Sequence, residues 1–74
     1  MMNTITIYVT LLEEGTDTWR PTQALDKGFG FYELLPTPKY DPEDEIWEFK
    51  PGSLVKAIEV ESDEGEKLLL AVKA

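Results

Sequence analysis

Residues 4 to 12 read TITIYVTLL. Ile5, Ile7, Val9 and Leu11 fall at one parity, and Thr4, Thr6, Tyr8 and Thr10 at the other. A period of two belongs to a strand with one buried face, because successive side chains point to opposite sides of a sheet. The β-branched residues fit a pleated surface better than a helix. The stretch therefore predicts a half-buried strand.

Five more segments carry similar signals, each set off by turn residues. They are TWRPTQAL (18 to 25), FGFYELL (29 to 35), EIWEF (45 to 49), SLVKAIEVE (53 to 61) and KLLLAVK (67 to 73). Gly15 with Asp17, Gly28 with Gly30, Pro51-Gly52 and SDEGEK mark turns, and PTPKYDPED is the longest loop. Pro21 cannot donate a ladder hydrogen bond, so its strand should be an edge or carry a bulge there. Trp47 and Phe49 should share an inward face opposite Glu48. Leu54, Ile58 and Val60 differ in parity from Val55 and Ala57, which implies a bulge or burial on both faces. Leu68, Leu70 and Val72 are expected to face inward. That puts Leu69 outside beside Ala71, where a small apolar patch could support a weak homodimer of an otherwise monomeric chain. Six short strands with closely spaced turns predict a single all-β domain over residues 1 to 74, a small barrel or sandwich. Closure would protect the sheet edges.

Composition narrows the chemistry. The 74 residues include no Cys and no His, which removes disulfides, thiolate chemistry, the usual neutral-pH base and the commonest transition-metal ligand. The formal net charge is −8, with three basic and five acidic residues up to position 40, and four basic and ten acidic beyond it. Such a surface repels nucleic acid and anionic membranes but suits a basic protein or peptide. The N-terminal MMNTITIYV has no basic segment or cleavage site of a signal peptide, and no apolar run is long enough to cross a bilayer, so a cytoplasmic location is expected.

Two segments, EEGTDTWRP (13 to 21) and YDPEDEIWEFKPGSLV (40 to 55), resemble those of a group of small uncharacterised bacterial proteins. In that group an EGTD-x-WRP segment precedes a D-P-E-D-E-x-W-E-F-x-P-G segment. The resemblance implies a small SH3-like barrel of five or six antiparallel strands and brings no activity or ligand with it. The chain lacks the ALYDY-type signature with which signalling SH3 domains bind proline-rich peptides.

Three stretches are candidate sites. Asp41, Glu43, Asp44 and Glu45 offer oxygen ligands of the kind Ca²⁺ takes, but counting an EF-hand from Asp41 puts Ile46 at position six and Gly52 at position twelve, where Gly and Glu are required. The other reading is a solvated turn opened by Asp41-Pro42. Acid–base catalysis would need a pocket to perturb one carboxyl, and a barrel this small has little room for one, so no enzymatic role and no cofactor are expected. In WRP, Trp19 and Arg20 must point to opposite faces. Trp19 either fills the core or, facing out, meets Tyr8 in a recognition patch of the residue types that dominate hot spots. Arg20 could pair with Glu13, Asp17 or another acid. The sharpest hypothesis is a groove walled by Tyr32, Tyr40 and Trp19 and rimmed by Asp17, Asp41, Glu43 and Asp44, suited to a basic or proline-containing peptide. The sequence thus reads as a small interaction module. The alternative is a weak Ca²⁺-binding or structural accessory protein using the loop from Asp41 to Glu45.

Overall fold

The computed structural model describes residues 4–12 and 18–74. It contains six strands and, among the described residues, no helix: β1 (Thr4–Leu12), β2 (Trp19–Gly28), β3 (Phe31–Leu34), β4 (Ile46–Trp47), β5 (Leu54–Glu61) and β6 (Lys67–Lys73). They form one sheet in the order β2-β3-β5-β6-β1-β4, and a further β2–β1 pairing rolls it back on itself, barrel-like. The domain is all-β and consistent with a small SH3-like fold. One seam departs from the expected antiparallel pattern. β1 meets β6 in parallel, at Tyr8 and Leu70. Five strands that alternate in direction around a ring must meet once in parallel.

The alternation of β1 holds. Ile7, Val9 and Leu11 are buried and Ile5 packs against them. Ala24, Leu34, Trp47, Val55 and Ala71 complete the core, with Tyr32, Tyr40, Phe49, Ala57 and Leu69 partly buried around it. β5 follows from the same rule. Val55 and Ala57 turn inward, and Leu54 and Ile58 stand half exposed outside. β6 is opposite in phase to the expectation. Ala71 is buried and Leu69 packs on the core, so Leu68, Leu70 and Val72 face out. A ring of five strands encloses little volume, and one that already holds Trp47 takes Ala24 and Ala71 at inward positions more readily than Leu. The apolar patch anticipated at Leu69 is therefore an outer patch of Leu68, Leu70 and Val72, set against Val60, Ile58 and Lys56 of β5.

Pro21 pairs with Tyr8 of β1, while β3 reaches along β2 only from Ala24 to Gly28. At Pro21 the strand has a neighbour on one side, the setting in which proline is tolerated. β2 runs three residues further than expected, through a bulge between Asp26 and Gly28, and Asp26 Oδ1 accepts the Gly28 amide at 2.8 Å. The β2–β3 turn thus centres on Phe29 and Gly30, and β3 begins only at Phe31. Phe29 has φ of 56° and Gly30 of 83°, the positive pair that a type I′ hairpin requires. Phe29 is also 99% exposed. A bulky L-residue in this region is strained by about 1–2 kcal/mol, and Asn or Asp would fit better. Replacing Phe29→Asn should therefore stabilise the domain by about 1 kcal/mol, a rise of roughly 4–8 °C in Tm on thermal unfolding. An unchanged or lower Tm would mean that the turn is not strained by its phenylalanine.

Candidate binding site

Trp19 pairs with Thr10, and Tyr8 with Pro21, so Trp19 and Tyr8 are neighbours on the outer face of β1 and β2. The core tryptophan is Trp47, and Trp19 lies half-buried on the outer face. The outer face continues sideways, because Tyr8 lies beside Leu70 and Leu70 beside Ile58. Ile58, Leu70, Tyr8 and Pro21 thus form an uncharged row across four strands.

Next to that row lies a cleft of about 640 Å³ lined by Tyr8, Trp19 and Leu68 together with Glu61, Ser62, Asp63, Glu64 and Glu66 of the β5–β6 turn and its flanks. Ser62 shapes the turn. Its Oγ accepts the amides of Glu64 (3.3 Å) and Glu66 (3.1 Å), its carbonyl accepts the Gly65 amide at 2.9 Å, and its own amide donates to Glu66 O at 2.8 Å. The four carboxylates are exposed. A row of like charges along a partly enclosed wall concentrates negative potential in the cleft. The residues that line it carry apolar surface and acid together, an arrangement that can hold a side chain with an apolar stem and a cationic end.

The anticipated groove is not assembled. Tyr32 opposes Asp26 on β2, seven residues along the strand from Trp19, which is about 23 Å of extended chain. Leu34 is buried, so Tyr32 of the same parity leans on the core and Phe31 faces out beneath Lys56, whose Nζ is 5.3 Å from the ring centroid. Tyr40 packs edge-on against Trp47, with ring centroids 4.8 Å apart. Of the proposed walls only Trp19 lines the cleft, and the acid rim comes from Glu61 to Glu66, a turn that reads as purely structural in the sequence. Asp17 and Glu13 lie outside the described residues.

The loop from Asp41 to Glu45 is a turn. Asp41 Oδ1 accepts the Glu43 amide at 2.9 Å, and the Asp41 carbonyl accepts those of Asp44 (3.0 Å) and Glu45 (2.9 Å). Asp41, Glu43 and Asp44 are exposed, and among the described residues no three acidic side chains converge as a cation site. Glu45 turns away to bind protein groups. Trp47 Nε1 donates to its Oε1 at 2.9 Å, Arg20 Nε donates to the same oxygen at 3.3 Å, and Arg20 Nη2 lies 2.8 Å from Oε2. Arg20 thus finds its acid in the long loop. No family model matches the chain, and neither curated proteins nor solved structures include a significant match.

Glu45→Ala would leave the Trp47 indole N–H and the Arg20 guanidinium without their shared acceptor, and should cost about 1–2 kcal/mol in chemical denaturation. Arg20→Ala, which leaves the Trp47 bond in place, should cost less. Equal losses would mean that Glu45 acts only through its ion pair.

Proposed function

We propose that this protein is a small cytoplasmic interaction module that holds a basic, apolar-anchored segment of a partner protein between Trp19 and the β5–β6 turn. The observation that carries this reading is that Tyr8, Trp19 and Leu68 line the same cleft as four carboxylates. Tyr and Trp offer large contact area at small entropic cost and are the residue types on which binding energy concentrates. Glu61, Asp63, Glu64 and Glu66 would supply orientation and a faster encounter with a cationic partner, more than raw affinity. The same charge disfavours nucleic acid and anionic lipid. The cleft offers binding contacts and solvated carboxylates, and Ser62 Oγ is occupied by its own turn. The function proposed is therefore binding without chemistry and without a cofactor.

Titration with synthetic Lys- and Arg-rich peptides, each bearing one Leu or Trp anchor, tests this by amide-correlation NMR. Shifts should centre on Tyr8, Trp19 and residues 61 to 68 and weaken as salt rises. Trp19→Ala, on the outer face, should stay folded and lose at least about 1.4 kcal/mol of binding, a factor of ten. Shifts centred on other residues, or no binding by any peptide at millimolar concentration, would overturn the reading.

A further inference from the structure

Closure of the sheet leaves one stretch of edge open. β3 lies beside β5 only at its start, where Glu33 and Tyr32 pair with Leu54 and Val55. β5 continues to Glu61, and among the described residues no strand flanks it there on the side away from β6. The direction of its backbone groups follows from the ladder. Ser62 N donates to Glu66 O, so residues 62, 60 and 58 turn their amides and carbonyls to β6. Alternation turns those of Ala57, Glu59 and Glu61 the other way. Three donors and three acceptors thus stand in a row with no backbone partner among the described residues. The open slot from Ala57 to Glu61 is about 17 Å long, and the β2–β3 turn at Phe29 and Gly30 bounds one end of it.

The side chains along the slot are sorted by face. Glu59 and Glu61 share the face of Ala57, and Ile58 and Val60 take the opposite one. Both glutamates are exposed, and Ile58 is half exposed. Glu59 has one exposed ion pair, with Lys67 at 3.8 Å, and Glu61 has none among the described residues. Charge on an open edge works against pairing with a second copy. Two β5 edges laid antiparallel over the whole slot would set Glu59 directly opposite Glu59. The same carboxylates favour a strand that carries cations at alternate positions. We infer that β5 takes up an extended basic segment of another protein between Ala57 and Glu61, as an added antiparallel strand in line with β3. Lys or Arg of that segment stands opposite Glu59 and Glu61, and apolar residues stand opposite Ile58 and Val60. Main-chain hydrogen bonds hold the segment, and the alternation selects it. The slot shares only Glu61 with the cleft at Trp19, so this surface goes beyond the binding role proposed for the cleft.

A hexapeptide of alternating lysine and valine, titrated into the labelled protein to millimolar concentration, tests this by amide-correlation NMR and hydrogen exchange. Shifts should centre on residues 56 to 61 and weaken as salt rises. At saturation the Ala57, Glu59 and Glu61 amides should exchange at least tenfold more slowly. In the antiparallel ladder a lysine opposite Glu59 exchanges both hydrogen bonds with it, while the valine amides point away. N-methylation of the lysine amides should therefore abolish binding, and N-methylation of the valine amides should leave it intact. Glu59→Lys, outside the cleft, should weaken binding about fivefold. Shifts confined to Tyr8, Trp19 and residues 62 to 68 would overturn the inference and leave the cleft reading standing. Equal loss from the two methylated peptides, or no binding at millimolar concentration, would overturn it as well, and the anchored peptides decide the cleft separately.

Discussion

Trp47 is the constraint on which the rest of the domain depends. Among the described residues it is the one buried aromatic side chain, 2% exposed, in a ring of five short strands. It belongs to a strand of two residues, which pairs with Leu11 and Leu12 and could not hold a place by its ladder alone. Burial of its indole brings a polar N–H into the protein, and that group requires an acceptor. Glu45 supplies it from two residues away, and Arg20 balances Glu45 from the opposite face of β2 to Trp19. Tyr40 closes over the indole from the loop. The long proline-containing loop is thereby bound to the barrel at Tyr40, Glu45 and Trp47, and the narrow interior left around Trp47 takes alanines.

That arrangement also decides which tryptophan reaches the outer face. With Arg20 committed inward to Glu45, strand alternation sends Trp19 outward, onto the uncharged face shared with Tyr8 and Leu70. In a chain with fifteen acidic residues, the carboxylates gather at turns, and the β5–β6 turn sets four of them beside Trp19. One tryptophan is buried in the core and the other lies half-buried on the outer face.

Much of the fold was legible because it rests on local rules. The alternation of β1 named its inward residues, Pro51-Gly52 marked a real turn, and Trp47 and Phe49 were placed inward by Glu48 between them. Gly52 has φ of 91° and its turn is closed by Ser53 N donating to Lys50 O at 3.0 Å. The misplacements came where local pattern was silent. Leu68 to Leu70 are three leucines in a row, so parity could not be chosen without knowing how little volume the ring leaves. Phe29 reads as a strand aromatic until the bulge at Asp26 shifts the turn by one pair. The cleft was the least legible feature. Its floor comes from β1, β2 and β6 and its wall from a turn more than forty residues from Trp19 in sequence, and their proximity follows from closure of the sheet.

The division between the two tryptophans is the central claim, and acrylamide quenching of fluorescence in wild type and in Trp19→Phe tests it most directly. Trp19→Phe, which keeps Trp47 alone, should emit to the blue of the wild type and be quenched more slowly, since the less buried indole has been removed. Emission and quenching unchanged from the wild type, or a red shift with faster quenching, would contradict the account, because Trp47 would then be no more sheltered than Trp19.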